Sequence, residues 1–370
     1  SGMGQMPVRF SGTPRQDNLD LYLTGPFSLL GREHELITGL TLSQYRENVP
    51  SWGGWRRDYY ATPGAQIPNI FDWNGKQPKP DFAVSGKSSM EENQYGAYAT
   101  TRLNLTDDLK LIIGGRLTDW KRDTEDYSYG SPATEVKRKE TGVFIPYTGV
   151  VYDLNDTWSA YASYTKIFSP QASYVRDEQN KPLDPMEGVG YEIGIKGSHL
   201  DGKLNSSLAL FKLQQDNLAI WMHDDVYSAE QDTTSEGVEL ELNGELAEGW
   251  QASAGYVYTT TTDKDDERIN TLLPRHSLKT FTTYRLPGAL DRLTVGGGVN
   301  WQSKVGYDLH GFTQGSYAIT NLMARYQISQ NLSATVNLDN VFDRKYFSVA
   351  SSYGTYGAPR NLMAGFRYDF

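Results

Sequence analysis

The residues best suited to binding chemistry cluster between Asn48 and Lys87, where Trp52, Trp55, Arg56, Arg57, Tyr59, Tyr60, Phe71 and Trp73 fall within one irregular stretch. Aromatic side chains bury large areas and arginine pairs with oxygen atoms, so such a segment can hold a bulky, oxygen-rich polar ligand. Trp52, Trp55, Arg56, Tyr59 and Trp73 are the candidate ligand contacts. The same residues could equally serve to pack the loop or its rim, and both readings stand at this point. Nothing resembles a catalytic constellation. The five His are scattered at 34, 199, 223, 276 and 310 without ligand spacing, so no metal site is expected. His223-Asp224-Asp225 reads as a solvated loop tip. Glu239 and Glu241 share a strand face but have no His or hydroxyl partner placed by sequence, so they read as a polar wall and not as a glycosidase pair. Gly296-Gly297-Gly298 lacks the Lys-Ser/Thr of a phosphate loop and sits inside a strand pattern. With no Cys in the chain, thiol catalysis and disulfides are excluded.

The elements that must position these residues are strands. Leu362, Ala364, Phe366, Tyr368 and Phe370 alternate with Met363, Gly365, Arg367 and Asp369, and the same period of two recurs throughout. Leu332 to Asp339, Leu293 to Trp301, Val238 to Leu246 and Tyr95 to Leu105 repeat it. Short polar turns are expected near residues 106–108, 154–156, 199–202, 247–249, 287–289 and 329–331. Long irregular connections run over 48–87, 169–184 and 260–273. Short turns at one end and long loops at the other are the asymmetry of a membrane barrel, whereas a sandwich spreads its loop lengths more evenly. About fifteen antiparallel strands result, many of about 15 residues, longer than the roughly 10 needed to cross a bilayer at a tilt. Tyr174, Trp221 and Tyr353 fall near expected strand ends and read as interfacial aromatics.

Composition agrees. The chain of 370 residues has 25 Tyr, 8 Trp and 36 Gly, and its mean hydropathy of -0.56 is what an apolar outer face and a polar lumen average to. No run approaches the ~18 apolar residues of a membrane helix. A formal charge of -10 argues against a nucleic-acid partner. Residues 1–16 are expected to be a tag remnant and a partial loop, because Ser1-Gly2 precedes a Met and no secretory leader is visible.

Two C-terminal segments carry a family resemblance. Asn331-Leu-Ser-Ala-Thr-Val-Asn-Leu-Asp-Asn-Val-Phe-Asp-Arg-Lys-Tyr-Phe347 and Tyr356-Gly-Ala-Pro-Arg-Asn-Leu-Met-Ala-Gly-Phe-Arg-Tyr-Asp-Phe370 resemble the last two strands of TonB-dependent outer-membrane receptors. Trp158 to Pro170, Glu187 to Gly197, Ser206 to Lys212 and Thr234 to Glu241 follow in the family's order. Ile67 to Gly75 and Tyr353 to Arg360 look most similar to receptors for hydroxamate-type ferric siderophores, the ferric coprogen and ferric pyoverdine receptors.

The resemblance implies an all-β fold over residues 1–370: the C-terminal ~15 strands of a 22-stranded antiparallel transmembrane β-barrel, with the plug domain absent. It implies a siderophore importer of the bacterial outer membrane, driven through TonB by way of the missing N-terminal region. This chain by itself is then not expected to be transport-competent. The partners implied are a ferric siderophore, outer-membrane lipid and lipopolysaccharide, and the barrel-assembly machinery at the C-terminal strand. No cofactor and no enzymatic activity are expected, since iron arrives already chelated. A passive porin-like or adhesin-like barrel is the alternative, and a soluble all-β module a third reading.

Overall fold

Alternation of apolar and polar residues over 10 to 20 positions forces each segment to place its two sets of side chains on opposite faces. The computed structural model is accordingly built of strands. It describes residues 5–370 apart from 53–55, 57, 68, 70–71, 224–225, 270–271, 308–311 and 351–353. The first half holds β1 (Arg15–Leu29), β2 (Arg32–Ser51), β3 (Gly86–Asn104), β4 (Leu109–Ser128), β5 (Thr134–Asp153), β6 (Trp158–Ser169) and β7 (Met186–His199). Then come β8 (Leu204–Asp216), β9 (Leu218–His223), β10 (Val226–Glu230), β11 (Thr233–Ala247), β12 (Trp250–Thr262), β13 (His276–Arg285) and β14 (Leu293–Gln302). The last are β15 (Val305–Tyr307), β16 (Phe312–Gln314), β17 (Tyr317–Gln327), β18 (Leu332–Asp339), β19 (Phe347–Ala350), β20 (Gly354–Tyr356) and β21 (Asn361–Tyr368). Fifteen of these form one sheet whose order follows the chain, as the alternation implied, and β9–β10, β15–β16 and β19–β20 are separate two-stranded hairpins inside the long connections. Those hairpins were not legible as strands. The long connection expected over 48–87 is shorter, because β2 continues to Ser51 and β3 starts at Gly86.

The strands divide into two compact units. One comprises residues 1–27, 35–101 and 114–145, the other 28–34, 102–113 and 146–370. In the second unit the register can be followed strand by strand. Ala160, Ile195, Leu208, Leu240, Tyr256, Leu278, Trp301 and Ala318 pair successively across β6, β7, β8, β11, β12, β13, β14 and β17. One residue over, the row reads Ser159, Lys196, Ser207, Glu241, Gly255, Lys279, Asn300 and Ile319. A shift of one position thus exchanges an apolar face for a polar one, which pins the register wherever the apolar face has an apolar surrounding.

The apolar face is exposed, with Ile193 at 59% and Leu210 at 50%, and aromatic pairs bound it above and below. At the short-turn end Trp158 meets His199 at 5.0 Å and Trp250 meets Tyr284 at 6.5 Å. At the other end stand Tyr164 with Tyr191 at 5.6 Å, and Tyr258 with His276 at 4.9 Å. His276 Nδ1 lies 2.8 Å from the Tyr256 hydroxyl. From Trp250 to Tyr258 the strand advances about 27 Å along its axis, and at a tilt near 40° that spans roughly the height of a bilayer's apolar band. These are the girdles. Tyr174 and Trp221, expected there, belong instead to the loops: Trp221 lies in β9, and Tyr174 packs on Tyr227 of β10 at 6.4 Å. The reason is non-local, since Tyr227 N–H donates to the Arg176 carbonyl at 2.8 Å and folds the 170–185 loop onto that hairpin. Tyr353 lies outside the described residues.

Turn chemistry closes the short ends. Asn155 Oδ1 accepts from Thr157 and Trp158 N–H at 2.9 and 3.0 Å, an Asx-type turn. A turn at Leu30-Gly31, both with positive φ, escaped the sequence reading because only the glycine is a turn signal.

Candidate functional site

The segment between β2 and β3 folds around its own small core. Tyr59 is 3% exposed in a short 3-10 turn, beside buried Ala65 and Ile67, and its hydroxyl donates to the Pro78 carbonyl. Tyr60, next in sequence, turns outward at 58% exposure. Arg56 binds Asp58 through two nitrogens, Nε to Oδ1 at 3.0 Å and Nη2 to Oδ2 at 3.1 Å, and donates Nη1 to the Asp81 carbonyl at 2.6 Å. Its backbone N–H donates to Pro7 O at 2.9 Å, tying the segment to the N-terminal stretch. Trp52 lies under the Arg9 guanidinium at 4.5 Å. Trp73 Nε1 donates to the Lys76 carbonyl at 3.1 Å, and Lys76 N–H donates to Asn74 Oδ1 at 2.9 Å. With its amide nitrogen turned toward the Gly64 and Ala65 carbonyls, Gln77 accepts from the same indole at 3.2 Å.

Of the five residues singled out from sequence, Tyr59 is therefore inside the loop. Arg56, Trp52 and Trp73 are partly exposed and each is held by a neighbour, while Trp55 lies outside the described residues. Trp52, Arg56 and Trp73 are each fixed by a separate contact, and a side chain already fixed loses less entropy when a ligand settles on it. Sequence could not tell Tyr59 from Tyr60, because in an irregular segment no periodicity says which of two neighbours points inward.

The Arg56–Asp58 pair gives this loop a pH signature. The hydrogen bond from Arg56 holds the Asp58 carboxyl below its usual value of 3.8. A depressed carboxyl contributes above that value and loses its contribution as pH falls through the lowered one. Wild type and Asp58→Asn are therefore expected to differ in tryptophan emission of the loop at neutral pH, and to converge as pH falls below the usual carboxyl value. A difference that persists unchanged once the carboxyl is protonated would show that the pair does not order the loop.

The polar face carries a second set of groups. The Tyr161 hydroxyl donates to Glu192, and Lys196 Nζ sits over the Tyr161 ring at 4.7 Å. Room for that ring exists because residue 194 is glycine, where an added Cβ would come within 2.6 Å of Tyr161. The carboxylates of Glu239 and Glu241 act electrostatically on the same tyrosine, and no general-base geometry accompanies them. Among the described residues no group of three or more His, Asp or Glu is placed to hold a metal ion.

An antiparallel sheet with one exposed apolar face between aromatic girdles, one polar face and long loops at one end is the wall of a membrane β-barrel. The family described as TonB dependent receptor-like, beta-barrel, matches residues 3–341, and the chain belongs to it. The family is one of outer-membrane proteins, and the chain is outer-membrane β-barrel. It is 73% identical over its whole length to a ferric-pyoverdine BN7/BN8 receptor of Pseudomonas putida, covering 46% of that protein. It is 42% identical to the ferripyoverdine receptor of Pseudomonas aeruginosa, over 98% of this chain and 45% of the relative. The crystal structure of that outer-membrane receptor bound to ferripyoverdine superposes with a TM-score of 0.82 at 41% identity, over 97% of this chain and 49% of the other. The chain thus spans about half the length of the curated relatives it matches. With the family known, the apolar face is lipid-facing and the polar face lumen-facing.

Proposed function

We propose that this chain forms the lumen wall and outer vestibule of an importer for a ferric siderophore of the pyoverdine kind, energised through TonB. The observation that carries the reading is the paired register of lipid-facing and lumen-facing rows beneath an ordered aromatic and arginine surface, in a chain 73% identical to a protein named for ferric pyoverdine. On this reading Trp52, Trp55, Trp73 and Tyr60 offer ring faces to the chelate, Arg56 offers N–H donors, and Tyr59 supports them from below. The protein supplies recognition and a path and performs no covalent chemistry. Iron stays with its chelator, so neither a cofactor nor protein metal ligands are needed. Lipid and lipopolysaccharide surround the apolar face, and strand β21, followed by the Tyr368–Phe370 ring pair at 5.0 Å, is the element offered to the barrel-assembly machinery.

The test uses the full-length receptor that contains this sequence. Titration with ferric pyoverdine should quench tryptophan emission saturably, and Trp73→Ala should raise Kd by about tenfold, as expected for an aromatic anchor. A porin-like or adhesin-like barrel would show no saturable response to any ferric pyoverdine, and that result would remove the importer reading.

A further inference from the structure

The outward face of the first unit changes character along each strand. Its exposed apolar rows end at Leu19 in β1, Leu42 in β2 and Tyr95 in β3, which line one hollow with Leu117 of β4. The two-residue period carries the same face on to Arg15, Arg46 and Glu91, each four positions further along its strand. In β4 it reaches Asp123 and Glu125. In β5 the face that carries Phe144, whose ring lies against Gly115, passes to Lys137 and Glu135. The alternation shifts by one at Gly142, which has a φ of 67° and donates its N–H to Asp119 at 2.7 Å. Beyond the apolar rows these charged residues line a cavity of about 630 Å³.

Its height follows from the strands. Four residues advance a strand by about 13 Å, which is about 10 Å of height at a tilt near 40°. β1 runs from Arg15 down to the short turn at Leu30-Gly31, and short turns of such barrels face the periplasm. The cavity is therefore level with the headgroups of the outer leaflet and opens toward them, away from the lumen.

Its charges are divided between two sides. On the β1–β2 side Asp17 is shared by Arg15 Nε at 3.0 Å and Arg46 Nη2 at 3.3 Å. Two guanidinium groups on one carboxylate leave a positive charge there, with N–H donors in the fork geometry that suits phosphate. On the β3–β5 side Asp123 is matched by Lys121 and Glu135 by Lys137. Glu91 takes its hydrogen bonds from the neutral amides of Gln44 and Asn93, at 3.0 and 3.1 Å, and Glu125 stands beside it in the lining. A bare anion would be drawn to one side and repelled by the other. Phosphates that carry divalent cations satisfy both, because such an ion is commonly held between carboxylates and phosphate oxygens.

We propose that this outward cavity docks the phosphorylated sugar headgroup of lipopolysaccharide, with Arg15 and Arg46 on a phosphate and Glu91 and Glu125 on its divalent counter-ion. The proposal deepens the reading of lipopolysaccharide around the apolar face and does not depend on which chelate is imported.

The experiment takes the full-length receptor, stripped of lipid in detergent, and measures its Kd for purified lipopolysaccharide with Mg²⁺ or with EDTA. Folding of each variant is checked by the heat-dependent gel migration of intact barrels, and the chelate site by its Kd for ferric pyoverdine. The double variant Arg15→Gln, Arg46→Gln should bind lipopolysaccharide about tenfold more weakly, as for lost charge-assisted bonds to phosphate, with ferric pyoverdine binding unchanged. Dephosphorylated lipopolysaccharide should bind wild type as weakly. The double variant Glu91→Gln, Glu125→Gln should lose the strengthening that Mg²⁺ gives wild type. A folded arginine variant that holds lipopolysaccharide as wild type does overturns the site. So does wild type that holds the dephosphorylated glycolipid or phosphatidylglycerol equally well, and a carboxylate variant that still responds to Mg²⁺ overturns the role given to Glu91 and Glu125. Absence of ferric pyoverdine binding in wild type would count against the importer reading and leave the lipopolysaccharide result standing.

Discussion

Ile195→Arg is expected to destabilise the membrane-embedded protein by about 2–4 kcal/mol, the range for arginine near the bilayer midplane on a lipid-facing strand. Ile195 pairs with Ala160 on one side and Leu208 on the other. It lies midway along its strand between His199 of the Trp158–His199 girdle pair and Tyr191 of the Tyr164–Tyr191 pair, so an arginine there is as far from either interface as the strand allows. The control points to the other face. Ser163 pairs with Glu192 on the lumen face, and Ser163→Arg places the same charge beside a carboxylate in a polar lining, where a change within about 0.5 kcal/mol is expected, as for exposed sites remote from any packing or buried network. Reversible denaturant unfolding of the receptor in short-chain phosphatidylcholine vesicles measures both. Equal effects of the two substitutions would mean that the assignment of faces is wrong.

The second large effect lies at Asn340, which is 3% exposed. Its backbone has φ of 49°, the left-handed region that Asn tolerates better than other non-glycine residues. Its Oδ1 accepts Arg344 N–H at 2.8 Å, and its Nδ2 donates to the Arg344 and Ala358 carbonyls, both at 3.0 Å. One side chain therefore joins the end of β18 to the start of the final loop and to the approach of β21. Asn340→Ala removes three part-buried hydrogen bonds to backbone and leaves an alanine in a left-handed conformation. Each such bond contributes about 0.5–1.5 kcal/mol and the left-handed alanine costs roughly 1–2 kcal/mol, so a net loss of about 3 kcal/mol is expected. Asn340→Gly relieves the backbone but not the lost bonds, and should fall between. The local readout is trypsin cleavage after Arg344 and Lys345, which should accelerate sharply in Asn340→Ala. Unchanged cleavage with lowered global stability would place the role of Asn340 elsewhere.

That network also explains why the segment from Asn340 to Phe347 stands out as a motif. Asp343 repeats the device, with φ of 51° and Oδ1 accepting Arg360 N–H at 2.9 Å. The residues that carry the family resemblance are largely those that turn the chain out of the membrane and bring it back. They specify a fold. The resemblance could therefore identify the receptor family from this motif while saying nothing of which side chains meet the chelate.

Face assignment was readable from the chain itself. Leu240 and Glu241 must point opposite ways in any strand, and the alternation of Val238, Leu240 and Leu242 with Glu239, Glu241 and Asn243 already separated lipid from lumen. The turn at Asn155 was equally local, since the side chain bonds to backbone two and three residues on.

The extracellular side was another matter. Trp221 and Tyr174 were misplaced at the girdle because the hairpin that contains Trp221 also packs on Tyr174 and meets the 170–185 loop through Arg176. Tyr59 and Tyr60 could not be ranked, and the Lys279, Asn300 and Asp339 side chains gave no sign that they share a cavity with Tyr317 and Tyr346.

The segment between Asn48 and Lys87, where the chemistry-bearing residues first drew attention, shows the division. By itself the sequence determined that these aromatics and arginines lie outside the strand pattern, and that the strands around them cross a membrane. The first follows from the two-residue period, a property of each strand's own backbone; the second needed the asymmetry of short turns and long loops and the family motifs. Tertiary structure alone decided that Tyr59 is buried, that Arg56 is pinned by Asp58 and Asp81, and that a second polar cavity forms on the wall. Those contacts join residues two to eighty positions apart, and no local pattern encodes which distant partner a loop side chain will find.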